Sequence, residues 1–99
     1  IRRVESRKLD DLVGTEAPAP QFIKMDIEGA EVVALEGARR SLARHRPILY
    51  LSVHENHLPG VERRCLELLA ALDYPATLVL INEGDPRIKN YLAVPGLEM

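Results

Sequence analysis

The stretch FIKMDIEGAEVVALEGARRSL, residues 22–42, decides how the whole chain is read. Its opening residues Phe22, Ile23, Lys24, Met25, Asp26 and Ile27 are mostly apolar and are bounded by Pro20 and Gly29. A run of that length and composition reads as a strand buried on both faces, as in a parallel sheet. The period then changes. Val33, Ala34, Gly37, Ala38 and Leu42 recur at three- and four-residue steps from Ala30 onward, which places them on one helix face with Arg39, Arg40 and Arg44 largely elsewhere.

Working outward, Pro47 ends the connection, and Ile48, Leu49, Tyr50, Leu51, Ser52 and Val53 form a second near-continuous apolar run. It reads as a second buried strand. A loop over residues 54–60, with Pro59, opens a second amphipathic helix whose Val61, Cys65, Leu68, Leu69 and Leu72 share a face; residues 73–75 end it. Residues 76–81 are a third apolar run, Asn82, Gly84, Asp85 and Pro86 are turn formers, and residues 91–94 are a short fourth run. Strands joined directly, with no helix between, should be antiparallel. Upstream, Ile1 and Val4 look strand-like, Leu9 to Val13 could make one helical turn closed by Gly14, and residues 15–20, with Pro18 and Pro20, read as a connecting loop. The expected fold class is α/β: two parallel strand-helix units with right-handed crossovers, followed by an antiparallel hairpin.

Composition narrows the functional classes. The 99 residues are 46% hydrophobic and 28% charged, which is globular rather than fibrous or disordered. The formal charge of −2 offers no general attraction for nucleic acid or acidic membranes, and the basic residues Arg39, Arg40, Arg44, His45 and Arg46 lack the interleaved aromatics of a single-strand binder. Neither nucleic acid nor a membrane is expected as a partner. Cys65 is the only cysteine, so an internal disulfide is excluded and a cytoplasmic setting is the default. The chain begins without methionine, on residues that already read as strand, so residues 1–99 are expected to be a single partial domain of a longer parent.

Open α/β sheets place their chemistry in the crevice beyond the C-terminal strand ends. Asp26 and Glu28 sit at one such end, and Glu31 follows in the first helical turn, where the helix dipole favours a carboxylate. Gly29 lets the backbone turn tightly and approach a ligand, whereas Gly37 suits close helix-on-sheet packing. His54, Glu55 and His57 follow the second strand and should face the same crevice. With Asp26 they could hold a divalent ion, but HENH is not a recognised zinc spacing, and the expectation is no metal.

The segment over residues 22–42 closely resembles the most characteristic part of the FkbM methyltransferases: Lys24, Asp26, Glu28, Gly29, Ala30 and Glu31, then Glu36, Gly37 and Ala38. Leu9, Asp10, Asp11 and Leu12 resemble that family's lead-in, and residues 47–53 its next strand. The resemblance is good over residues 9–55 and looser beyond. It implies the C-terminal half of a class I, Rossmann-like methyltransferase sheet that binds S-adenosylmethionine, with the glycine-rich cofactor loop and the ribose-holding acid upstream of Ile1. The glycines present are scattered and form no such loop.

Methyl transfer to an alcohol is an in-line displacement at a sulfonium methyl, assisted by a base for the hydroxyl proton. Asp26 and Glu28 are the candidate catalytic carboxylates, Asp26 and Gly29 the candidate cofactor contacts, and Glu31, His54 and Glu55 the candidate contacts to a small-molecule or glycan acceptor. The expected partners are that acceptor and the missing N-terminal half of the domain, with homo-oligomerisation through an exposed strand edge as a further expectation. Two other readings stay open: a non-catalytic α/β interaction module pairing through that edge, and an unrelated metal-dependent enzyme centred on Asp26, His54 and Glu55.

Overall fold

The computed structural model describes residues 8–13 and 18–95. The strand-like reading of Ile1 and Val4, the closing role of Gly14 and the loop over residues 15–17 lie outside them. The described elements are α1 (Leu9–Leu12), β1 (Phe22–Asp26), α2 (Glu31–Glu36), α3 (Arg39–His45), β2 (Ile48–His54), α4 (Val61–Ala71), β3 (Ala76–Ile81) and β4 (Ile88–Ala93).

The four strands form one mixed sheet in the order β1-β2-β4-β3. β1 and β2 run parallel, from Phe22 opposite Ile48 to Asp26 opposite Ser52, so both C-terminal ends open on the same side of the domain. β4 lies antiparallel to β2 and to β3, with a register shift between Leu78 and Leu80. The expected two strand-helix units and closing hairpin are therefore present, and β4 begins earlier than the apolar run suggested because Ile88, Lys89 and Asn90 already pair with β2.

Helices α2 and α4 pack on each other and on β2, and share one face of the sheet. Between them and the sheet lies the core. Leu49, Leu51 and Val53 alternate along β2 and are fully buried, meeting Leu35 and Leu42 from the first helical unit and Val61, Cys65 and Leu69 from α4. Arg46 joins the layers at the end of α3. It adopts a left-handed conformation (φ 51°) and its guanidinium donates to the carbonyls of Leu72 and Asp73 at 2.6 and 2.7 Å while stacking over the Tyr74 ring at 4.7 Å. The Tyr74 hydroxyl in turn donates to the Pro47 carbonyl, which ties the end of α4 to the start of β2.

Four expectations are corrected. The helix read as continuous from Ala30 to Leu42 is two short helices broken at Gly37 and Ala38. Its buried face holds Glu31, Val32, Leu35, Ala38, Ser41 and Leu42, whereas Val33 is 74% exposed. The apolar period placed Val33 on the buried face and did not include Glu31, whose carboxylate turns inward. Gly37 meets α1 rather than the sheet: a Cβ there would lie 3.3 Å from Lys8, and its carbonyl accepts the Asp10 N–H at 2.9 Å. β1, read as buried on both faces, buries only Met25 and has Phe22 55% exposed, and among the described residues it stands at the sheet edge. Beside it an open groove of about 650 Å³ is lined by Leu9, Ile23, Met25, Ile27, Val33 and Ala34.

Candidate functional site

The crevice at the ends of β1 and β2 is built around a strained turn. β1 ends at Asp26, and the Ala30 N–H donates back to the Ile27 carbonyl at 3.3 Å across a turn whose central residues, Glu28 and Gly29, both have positive φ (51° and 104°). Such turns favour glycine and asparagine, so a glutamate there is uncommon, and strain of this kind clusters at functional sites. It holds the Glu28 side chain exposed at the strand end. Gly29 has a second constraint: a Cβ would come within 3.1 Å of the His57 Cβ, so the β1–α2 and β2–α4 loops touch at this point.

Glu31 fixes the turn from below. Its carboxylate is fully buried and accepts two backbone N–H groups, that of Gly29 at 2.7 Å and that of His54 at 3.0 Å. One side chain thus ties the turn after β1 to the end of β2, and satisfies the buried His54 N–H and the part-buried Gly29 N–H. Above it lies the His54 ring, with only 9% of its side chain exposed. Its Nε2 is 3.2 Å from Oδ1 of Asp26 and its Nδ1 is 3.7 Å from Oε2 of Glu31. Nδ1 is buried without a hydrogen-bond partner. Asp26 itself is 51% exposed at the side chain, facing the crevice. The His57 ring meets the His54 ring edge-on at 5.8 Å.

The structure therefore brings Asp26, Glu28, Gly29, Glu31 and His54 to one place, with Asp26 and Glu28 open to solvent and Glu31 beneath them. Glu55 points away to a different task. Its two carboxylate oxygens accept the N–H groups of Gly60 and Glu62 and cap α4, and these bonds hold its carboxyl below the usual range. Glu62 receives the Tyr91 hydroxyl and sits 3.4 Å from Lys89 Nζ; burial, then the bond to Glu62, pushes the Tyr91 phenol up to about 12. Among the described residues no group of three or more His, Cys, Asp and Glu side chains is arranged to hold a metal ion, so the reading centred on Asp26, His54 and Glu55 gains no support.

Asp10 is a structural acid that the sequence reading passed over. Its carboxylate accepts the N–H groups of Arg40 and Ser41 at 2.9 and 2.7 Å, capping α3 from thirty residues away in the chain. Only its place in an Asp-Asp pair ahead of a loop marks it in the sequence, and that pattern does not name its partner. Cys65 is buried in the core, where desolvation, with Glu31 adding to it, pushes the thiol up to about 12.

A mixed α/β sheet whose two parallel strands end on one crevice, with Asp26 at the end of β1, is the arrangement of the methyltransferase-like neighbour described next. The chain belongs to the FkbM methyltransferase domain family, whose model matches residues 1–85. A crystal structure of methyltransferase FkbM from Methylobacillus flagellatus KT is similar to it, with 35% identity and a TM-score of 0.65 over 89% of this chain. This chain spans 22% of that one. No curated protein matches it. No helix among the described residues is long and apolar enough to cross a membrane.

Proposed function

We propose that the protein carrying this chain transfers a methyl group from S-adenosylmethionine to a hydroxyl oxygen, on a sugar or secondary metabolite in the cytoplasm, and that this segment alone is inactive. The observation that carries the reading is the pair of solvent-facing carboxylates, Asp26 and Glu28, at the C-terminal end of β1 in a chain of the FkbM family. When bound, S-adenosylmethionine supplies an electrophilic methyl on a positively charged sulfur. Two open carboxylates suit such a cation, and Asp26, with the Gly29 turn beside it, would line its site. The sequence offers no glycine-rich loop for the rest of the cofactor, so these residues hold only part of it.

Within this reading Asp26 accepts the hydroxyl proton of the acceptor as oxygen attacks, and Glu28 orients the ligand from the strained turn. His54 closes the floor of the acceptor site, while Glu31 and Glu55 support it through the backbone groups they hold. The apolar groove beside β1 and the exposed Phe22 and Ile27 support a place for the rest of the domain along that edge. The same edge would also serve an interaction module that pairs with a second copy.

Calorimetric titration of S-adenosylmethionine tests this, into the 99-residue chain and into a form extended upstream by roughly 120–150 residues, a domain-sized addition. Binding by the extended form alone supports the reading. Binding by neither, with a stable dimer formed by the chain, would transfer support to the interaction module.

A further inference from the structure

We propose that His54 is a positioning residue: held by Glu31, its ring fixes the side chain of Asp26 at the mouth of the crevice, leaving the second carboxylate oxygen free for a ligand. The proposal deepens the methyl-transfer reading and rests on it for the meaning of Asp26. Three observations carry it.

The first is a contrast in freedom. Asp26 is half-exposed at the last position of an edge strand, where a side chain ordinarily samples several rotamers. A ring with nine-tenths of its surface buried lies 3.2 Å from one of its oxygens, so the mobile group rests against an immobile one. The second is how the backbone carrying the ring is held. The His54 N–H donates to Glu31 at 3.0 Å, and Glu31 also receives the Gly29 N–H at 2.7 Å, so a single buried carboxylate sets the backbone on both sides of the contact.

The third is the proton. A neutral imidazole carries its hydrogen on one nitrogen only. Were it on Nδ1, the lone pair of Nε2 would face a carboxylate oxygen at 3.2 Å; on Nε2, the facing acceptors, Nδ1 and Oε2 of Glu31, are 3.7 Å apart and Glu31 is already engaged by two N–H donors. The closer repulsion decides, and in the neutral ring the proton belongs on Nε2, the nitrogen beside Asp26. The orphaned state of Nδ1 is the counterpart of that choice.

Nitrogen-15 correlation spectra of the histidine rings in this chain, without cofactor or acceptor, read the tautomer, and three-bond couplings read χ1 of Asp26. The expected result is a protonated Nε2 on His54 and one dominant Asp26 rotamer, which becomes averaged in His54→Phe, a ring of similar size with no N–H. Asp26→Ala, at a half-exposed position, reads the contact from the other side and should weaken the preference for Nε2 even if His54→Phe does not fold. A hydrogen found on Nδ1 alone, or an Asp26 rotamer unchanged in His54→Phe, overturns the positioning role. Because these spectra involve no methyl transfer, they fail separately from the catalytic reading, which fails instead if Asp26→Asn in the extended protein leaves S-adenosylmethionine binding and transfer unaltered.

Discussion

Replacing Glu31 by glutamine changes one oxygen to an NH2 group and leaves the shape almost untouched, so its cost isolates the double acceptor. In the native chain both oxygens are used, by Gly29 N–H at 2.7 Å and His54 N–H at 3.0 Å, with no exposed surface. A glutamine can satisfy one donor; its amide then faces the other, which is left buried and unpaired. Hydrogen bonds to a charged group contribute about 1.5–3 kcal/mol each, and an orphaned buried donor costs about 1–3 kcal/mol. Losing one bond and neutralising the other should cost roughly 2–4 kcal/mol, a large part of the roughly 5–15 kcal/mol that holds a domain of this size. Urea unfolding followed by circular dichroism would show it as a lower midpoint at unchanged slope, and Tm should fall by roughly 10–25 °C. Glu36→Gln, an exposed change on the same helix, is the control and should stay within about 0.5 kcal/mol. A loss below about 1 kcal/mol in Glu31→Gln would refute the account of Glu31 as the clamp between β1 and β2.

Gly29→Ala should cost about 1–3 kcal/mol, because alanine at φ 104° is strained and its Cβ presses on His57 at 3.1 Å; an unchanged melting curve would contradict it. Burial raises the Asp10 carboxyl, but the Ser41 hydroxyl and the N–H groups of Arg40 and Ser41 outweigh it and leave the folded pKa below the ordinary 3.8. Its contribution is therefore complete above that value and is lost as pH falls through the lower folded one, so Asp10→Asn should flatten the acid limb of stability against pH below about 4. Cys65, buried and with its thiol near 12, should resist a disulfide reagent at pH 8 until the chain unfolds; the labelling rate should rise with urea and match the rate of opening. Arg46→Lys should lose the paired bonds to Leu72 and Asp73 and the stack on Tyr74, costing about 1–2 kcal/mol by the same urea assay.

The strands were legible because their signals are local: β3 spans the run over residues 76–81, and β2 extends the run from Ile48 by a single residue, to His54. The helix phase was not, since Glu31 satisfies a long-range need that no neighbouring residue announces. Val33 illustrates the same limit from the other side. It belongs to an apolar stripe, yet that stripe faces the groove beside β1, and sequence period cannot say which of two apolar faces meets the sheet. At the site, Asp26, Glu28 and Gly29 were visible as acidic residues and a turn former at a strand end. The separate role of Glu55 was not, because its partners Gly60 and Glu62 are recognised only once the loop between β2 and α4 has closed on itself.

The strand order has a consequence during synthesis. β4 is made after the other three yet lies between β2 and β3, so neither inner edge can be paired until residues 88–93 arrive. At about 5–20 residues per second, β3 waits on the order of a second with the backbone N–H and C=O groups of its inner edge unpaired. A stop codon placed just before Ile88 would remove the middle of the sheet rather than its rim, and the shortened product should be held by chaperones instead of released as a smaller folded domain.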